Sequence, residues 1–382
     1  MASNITNLTP AEIAAMTTAQ VRAIESADLA AIRSDALGGL NSVQIAALST
    51  AQLGALNSDQ MQGLSTVQLA GLSTLQLSGM STEDLNLLTA SQFQSLSTSQ
   101  IAGLTTLQFS SLESTDLAGL GTHQLRAMDT RDIAALDSAD LRALSADQLA
   151  ALSTAQVRAI DSADISAIGA TALSGLSSQQ IAALSTAQLS AMGTDQLVAL
   201  NATQLAGLTT QQLAGLGTDD LNTLTVTQFQ ALSTAQIAGL TTFQVANLES
   251  ADLASFSTAQ IRALDTRAIA GMDSADIAVL NATQTAALTT AQLRAIESAD
   301  IGAMSLPALT GLSSAHIGAL STLQLANLGS DQLRALSQEQ IAGLTTAQLA
   351  SLGTAQIAAL ASYQVASFDS TDVAALTTAQ IR

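Results

Sequence analysis

The chain has 382 residues, 48% of them hydrophobic and 2% aromatic, and a net charge of −19 from 11 Lys plus Arg against 30 Asp plus Glu. All 11 cations are Arg, a balance that argues against a nucleic-acid partner, which needs a basic stripe to displace counterions. With no cysteine there is neither a disulfide framework nor a thiolate metal site. The absence of a long apolar run predicts no membrane span, and the N-terminal stretch lacks the pattern of a cleaved signal peptide.

The first predicted element is a helix opening at residues 8–16, LTPAEIAAM. Thr9 serves as N-cap, Pro10 occupies the first helical position and Glu12 completes a capping box. Eight residues on, MTTAQVRAI restarts a helix, and IESADLAAI restarts it again. The same plan runs through the whole chain without insertion or deletion. Numbering each octad 1 to 8, position 8 is Leu, Ile, Met or Phe in all 47 cases from Leu8 to Leu376. Position 5 is apolar from Ile5 to Ile381 except at Thr285. Positions 1 and 2 are mostly Ser and Thr, position 4 mostly Gln and Asp, and position 7 mostly Ala or Gly.

A continuous α-helix cannot carry this pattern, because eight residues advance about 800° and each Leu drifts some 80° from the last. A continuous strand would send positions 8 and 5 to opposite faces. One short capped helix per octad fits: position 1 is the N-cap, position 4 is N3, and positions 8 and 5 form the hydrophobic staple. Small residues at position 7, such as Gly39, Gly63, Gly103 and Gly239, suit a chain leaving the helix. Charge supports this reading, since all 30 acidic residues stand at positions 1, 3 or 4 and eight of the 11 Arg at position 6, the sorting a helix dipole favours. The alternative is a β-solenoid with a corner in each octad.

Two buried apolar side chains gain roughly 3–6 kcal/mol, whereas ordering eight backbone units costs about 8–16 kcal/mol. Single octads therefore cannot stand alone, and the prediction is one continuous all-α solenoid over residues 1–382 whose coils stack on each other. A longer period overlies the octad: TTAQVRAIESAD begins at Thr17, STAQVRAIDSAD at Ser153 and TTAQLRAIESAD at Thr289, steps of 136 residues or 17 octads. It divides the chain into super-repeats at 17–152, 153–288 and an incomplete 289–382. The polar first octad, MASNITNL, reads as a capping repeat, and the last octad, broken off at Ile381 and Arg382, as an uncapped end.

Carboxylates paired three residues apart recur along the chain. The densest group, Asp129, Asp132, Asp137 and Asp140, is the calcium candidate, since stacked coils could gather its oxygens. The competing reading makes them N-cap and N3 residues on a solvated surface. His123 and His316 stand apart, at positions 3 and 4, which this reading takes to be exposed. Every Ser is accounted for by capping, and neither a nucleophile elbow nor a phosphate loop occurs. No enzymatic activity and no cofactor other than calcium are therefore expected.

Octads of the ALSTAQLAAL type resemble the repeats of very large bacterial surface proteins of the adhesin kind. The acidic, Cys-free and Lys-free composition resembles that of exported surface-layer and type I-secreted proteins. The resemblance implies a cell-surface or extracellular location without a cleaved leader. The expected function is structural: a surface filament, sheath or stalk built by self-association. The alternative is an adhesin stalk or scaffold that holds a protein or glycan partner.

Overall fold

The computed structural model describes residues 5–382. Residues 1–4 of the octad read as a cap lie outside the described residues. Among the described residues all regular structure is helical and there is no strand, which removes the β-solenoid alternative. Two compact units form, Met1–Leu200 and Asn201–Arg382, and both are built in the same way.

From Pro10 onward each octad contributes one α-helix of four to six residues, except that Ile165–Ala167 and Ile301–Ala303 are 3-10 turns. In the helix Thr154–Ala159, Ser153 accepts from the Gln156 N–H, and the Gln156 side chain accepts from the Ser153 N–H. This reciprocal box recurs in most octads and satisfies two of the N–H groups a helix leaves unpaired at its start. The chain leaves each helix through an extended position-8 residue, such as Leu144 at φ −70° and ψ 135°. No described residue has a positive φ, so the glycines expected to turn the chain out of its helix do not do so in a left-handed conformation.

The short helices wind into a coil of higher order. In the first unit Ser114–Gly119 packs on Ala90–Ser95 and Ser138–Ala143, each three octads away. Contacts also reach the fourth octad, because Gln156 Nε2 donates to the carbonyls of Leu125 at 2.8 Å and Met128 at 2.9 Å. In the second unit Thr234–Ala238 packs on Thr258–Ala263, three octads on, and Gln260 donates to Phe229 at 2.8 Å and Leu232 at 2.9 Å, four octads back. One turn of the coil thus takes between three and four octads. Positions 5 and 8 face its axis: Leu125 and Leu205 are fully buried, and most position-8 residues are nearly so.

Position 4 corrects the sequence reading. Taken there as an exposed capping position, most of its glutamines are buried in both units, with Gln20 exposed and Gln332, Gln356 and Gln380 half-buried. The Oε1 atom caps its own helix while Nε2 reaches the C-terminal carbonyls of the helix four octads back. One amide therefore satisfies a donor at one helix end and acceptors at another. Thr285, the exception at position 5, is fully buried and donates from Oγ1 to the Ala308 carbonyl at 2.6 Å.

Some position-7 glycines serve close approach between coils. A Cβ at Gly39, Gly175 or Gly311 would lie 2.1, 2.0 and 2.0 Å from the carbonyl oxygens of Pro10, Ala146 and Ala282 respectively. These three glycines are 136 residues apart, in octads whose position 4 is Ala36, Ala172 or Ala308.

Two outcomes follow for urea denaturation. Gln156→Ala, which strips one cap and two inter-coil bonds, is expected to cost about 2–4 kcal/mol. Gly175→Ala forces a Cβ into backbone and should cost at least about 2 kcal/mol. By contrast Gly54→Ala, where the nearest atoms are 3.5 Å or more away, should be neutral or gain about 0.4–1 kcal/mol.

Candidate functional site

The candidate site residues stand at helix starts, so capping geometry decides what they can do. Asp129 Oδ1 accepts from the N–H groups of Arg131 at 2.7 Å and Asp132 at 3.0 Å. Asp132 Oδ2 accepts in turn from the Asp129 N–H at 3.0 Å, and its Oδ1 takes the Thr106 hydroxyl at 2.9 Å. Asp137 and Asp140 repeat this one octad later, with Asp140 Oδ1 meeting the Ser114 hydroxyl at 2.9 Å. The four carboxylates thus belong to two separate capping boxes, with both oxygens of Asp132 and Asp140 and Oδ1 of Asp129 and Asp137 engaged. Among the described residues no group of three or more His, Cys, Asp or Glu is placed to hold a metal ion.

Asp132 and Asp140 are themselves buried, not members of a solvated face. An aspartate in the position-4 slot has no N–H for the carbonyls of the coil below. Its compensation is a Ser or Thr hydroxyl from position 2, 26 residues earlier: Thr106 for Asp132, Ser114 for Asp140, Ser250 for Asp276 and Ser274 for Asp300. Burial pushes the carboxyls of Asp132, Asp140 and Asp276 above the usual carboxylate range, and the hydrogen bonds they accept pull part of the way back.

Two of the buried aspartates lack that partner. Asp116 and Asp252 are 7% and 5% exposed, and the residues 26 positions earlier are Ala90 and Val226. Their N-caps, Glu113 and Glu249, make no side-chain capping bond. Asp252 Oδ2 is buried without a hydrogen-bond partner. Burial, helped by the charge of Glu113 or Glu249, pushes both carboxyls up to about 6.

The histidines do not meet. His123 is exposed, whereas His316 stands in the place of a position-4 glutamine and accepts the Ser313 N–H on Nδ1 at 3.1 Å. Arginines at position 6 reach across to another helix end: the Nε atoms of Arg126 and Arg294 donate to the carbonyls of Ala151 at 2.8 Å and Ala319 at 2.7 Å, three octads on. They complement the negative pole of a neighbouring helix.

Sequence reasoning passed over the exposed position-3 hydrophobes. Val43, Val67, Leu75 and Leu107 in the first unit are 66–75% exposed, and Phe243 and Leu323 in the second 69% and 62%. Val43 and Val67 stand three octads apart and line one shallow groove with Ala46, Ala70 and Gly71. Among the described residues no helix is long and apolar enough to cross a membrane.

The two-box geometry has a direct check. Thr106→Val removes the hydroxyl from Asp132 and should cost about 1 kcal/mol at neutral pH. Millimolar calcium should leave the melting temperature of the wild-type chain unchanged, and a rise would restore an ion to residues 129–140.

A search of the curated proteins found no match. The ALTTAQ repeat family matches residues 21–66, 109–139, 133–167, 157–194, 189–226, 213–249, 245–282, 293–330 and 325–362. These segments take in well over half of the chain, and the protein belongs to the ALTTAQ repeat family.

Proposed function

We propose that this protein is a non-enzymatic structural component of a bacterial cell surface, forming a filament, sheath or stalk by self-association of its octad coils. The observation that carries the reading is the generic character of the coil-to-coil contact. Each coil turns Gln amides toward the coil before it and pairs of helix-end carbonyls toward the coil after it. A contact with different faces on its two sides is heterologous, and between copies it extends without closing. Position-3 side chains such as Leu75 and Leu107 add apolar surface for lateral contact. The acidic, Lys-free and Cys-free composition fits an extracellular setting.

A second reading rests on the groove at Val43 and Val67. There the chain would be an adhesin stalk or scaffold, and the groove would seat a protein or glycan.

Electron microscopy and sedimentation velocity over a wide range of protein concentration test the first reading. Uniform filaments whose length grows with concentration are expected. A species that stays monomeric at every concentration would overturn self-assembly and direct attention to a partner.

A further inference from the structure

The position-4 slot is built to receive a hydrogen-bond donor. In the octad after Asp116, Gln124 Nε2 donates to the carbonyls of Phe93 and Leu96, both at 2.8 Å. By the same spacing the slot of Asp116 faces the carbonyls of Leu85 and Leu88, and that of Asp252 those of Leu221 and Leu224. A carboxylate brings only acceptors to such a slot, whereas a carboxylic acid brings one O–H. Other buried aspartates are eased by the hydroxyl 26 residues earlier, but Ala90 and Val226 have none to give.

We propose that Asp116 and Asp252 are proton-binding positions, one in each compact unit, that tighten their coil when protonated and loosen it when ionised. The assignment goes beyond the assembly reading and does not depend on it. It has a built-in replicate: ESTDLAGL at 113–120 and ESADLASF at 249–256 lie 136 residues apart, each over an apolar residue in place of the hydroxyl.

The charges around both positions favour the protonated form. Asp116 shares its helix start with Glu113, and Asp252 shares its own with Glu249. The preceding packed helices, Ala90–Ser95 and Val226–Ala231, carry no titratable group. The following ones bring Asp137, Asp140 and Arg142 near Asp116, and Asp273 and Asp276 near Asp252. Four octads back stand Glu83 and Asp84, and Asp219 and Asp220, and four octads on from Asp116 stands Asp147, on the helix whose Gln148 donates to the Leu117 and Leu120 carbonyls. Arg142 is the one cation in these sets, and it lies in the last turn of its helix.

The sign of the pH effect follows. Both carboxyls are raised from 3.8 to about 6 in the folded chain. Below the lower value both states hold the proton, so the stabilisation from the raised pKa is complete there. As pH rises through the window, the unfolded chain releases the proton while the folded chain still holds it. Stability therefore falls, and the loss is complete above the folded value.

Thermal unfolding of the full chain at pH 7.5 and pH 4.5 tests the proposal by comparing wild type with Asp116→Gln, Asp252→Gln and the double variant. Restoring the amide should raise the melting temperature at pH 7.5 by about 2–4 °C per site, and the gain should shrink toward zero at pH 4.5. A second pair, Ala90→Ser and Val226→Thr, supplies the missing hydroxyl without touching either aspartate and should move stability in the same direction. Equal gains at both pH values would reduce the effect to packing and overturn the proposal. So would the absence of any gain at pH 7.5 in both sets of variants.

Discussion

The structure depends on one side-chain amide used at both ends. A helix of four to six residues has almost no interior, so nearly all its backbone groups belong to the unpaired termini. Left alone, such helices do not persist, because the cost of nucleation is never recovered over their length. A position-4 glutamine changes this by capping the start of its own helix with Oε1 and closing the end of another with Nε2. The second partner lies four octads back, so the same bonds that stabilise a helix also set where the coil passes over itself. Burial of positions 5 and 8 supplies the driving force, while the amide supplies the register.

That double use explains why several departures from the repeat come in compensated sets, Asp116 and Asp252 being the exceptions already described. An aspartate at position 4 gives up the inter-coil donor and is met by a hydroxyl from position 2, as Thr106 meets Asp132. Thr285 brings a hydroxyl into the axis and spends it on the carbonyl of Ala308, itself at a position 4 that lacks an amide. Close passage of the backbone at Ala146 and Ala282 is accommodated by Gly175 and Gly311. Buried polar groups cost most when half-satisfied, so a change in one octad constrains a residue in another three or four octads away.

Most of the local structure was legible in the sequence, because capping is a short-range matter. The N-cap at position 1, the box at position 4 and the staple between positions 8 and 5 all act within one octad, and the order Thr9, Pro10, Glu12 announces the first helix outright. That the octads stack as a solenoid was legible, but how the coil winds was not, because its bonds join residues 28 and 31 apart and no local pattern points to the partner. One signal was available. A capping box accepts Glu as readily as Gln, yet Glu occurs at position 4 only once, at the exposed Glu12. Such an exclusion marks a slot in which a side chain of glutamine's length must bring an N–H donor to the carbonyls of another coil, which a Glu carboxylate lacks. The acidic group at 129–140 misled for the converse reason: clustering in sequence follows from N-caps and N3 positions falling three residues apart, whereas convergence in space is a property of the coil.

The same division of labour frees the surface. Positions 4, 5 and 8 hold the fold, positions 1 and 7 are limited by caps and close passages, and little is asked of position 3. It accordingly carries Ala155, Asp195, Arg131, Pro307, Leu75 and Phe243 on the same backbone plan. Helix propensity at that position is worth only tenths of a kcal/mol, about the size of the differences among ordinary residues. Recognition can therefore be written there without disturbing what lies beneath. An exposed leucine at position 3 is informative for this reason: the fold does not require it, and an isolated coil in water gains nothing by displaying it. Leu75 and Leu107 are four octads apart, and Gln108 donates to the Leu77 carbonyl at 2.8 Å, so the two exposed leucines stand on octads that the coil holds in direct contact.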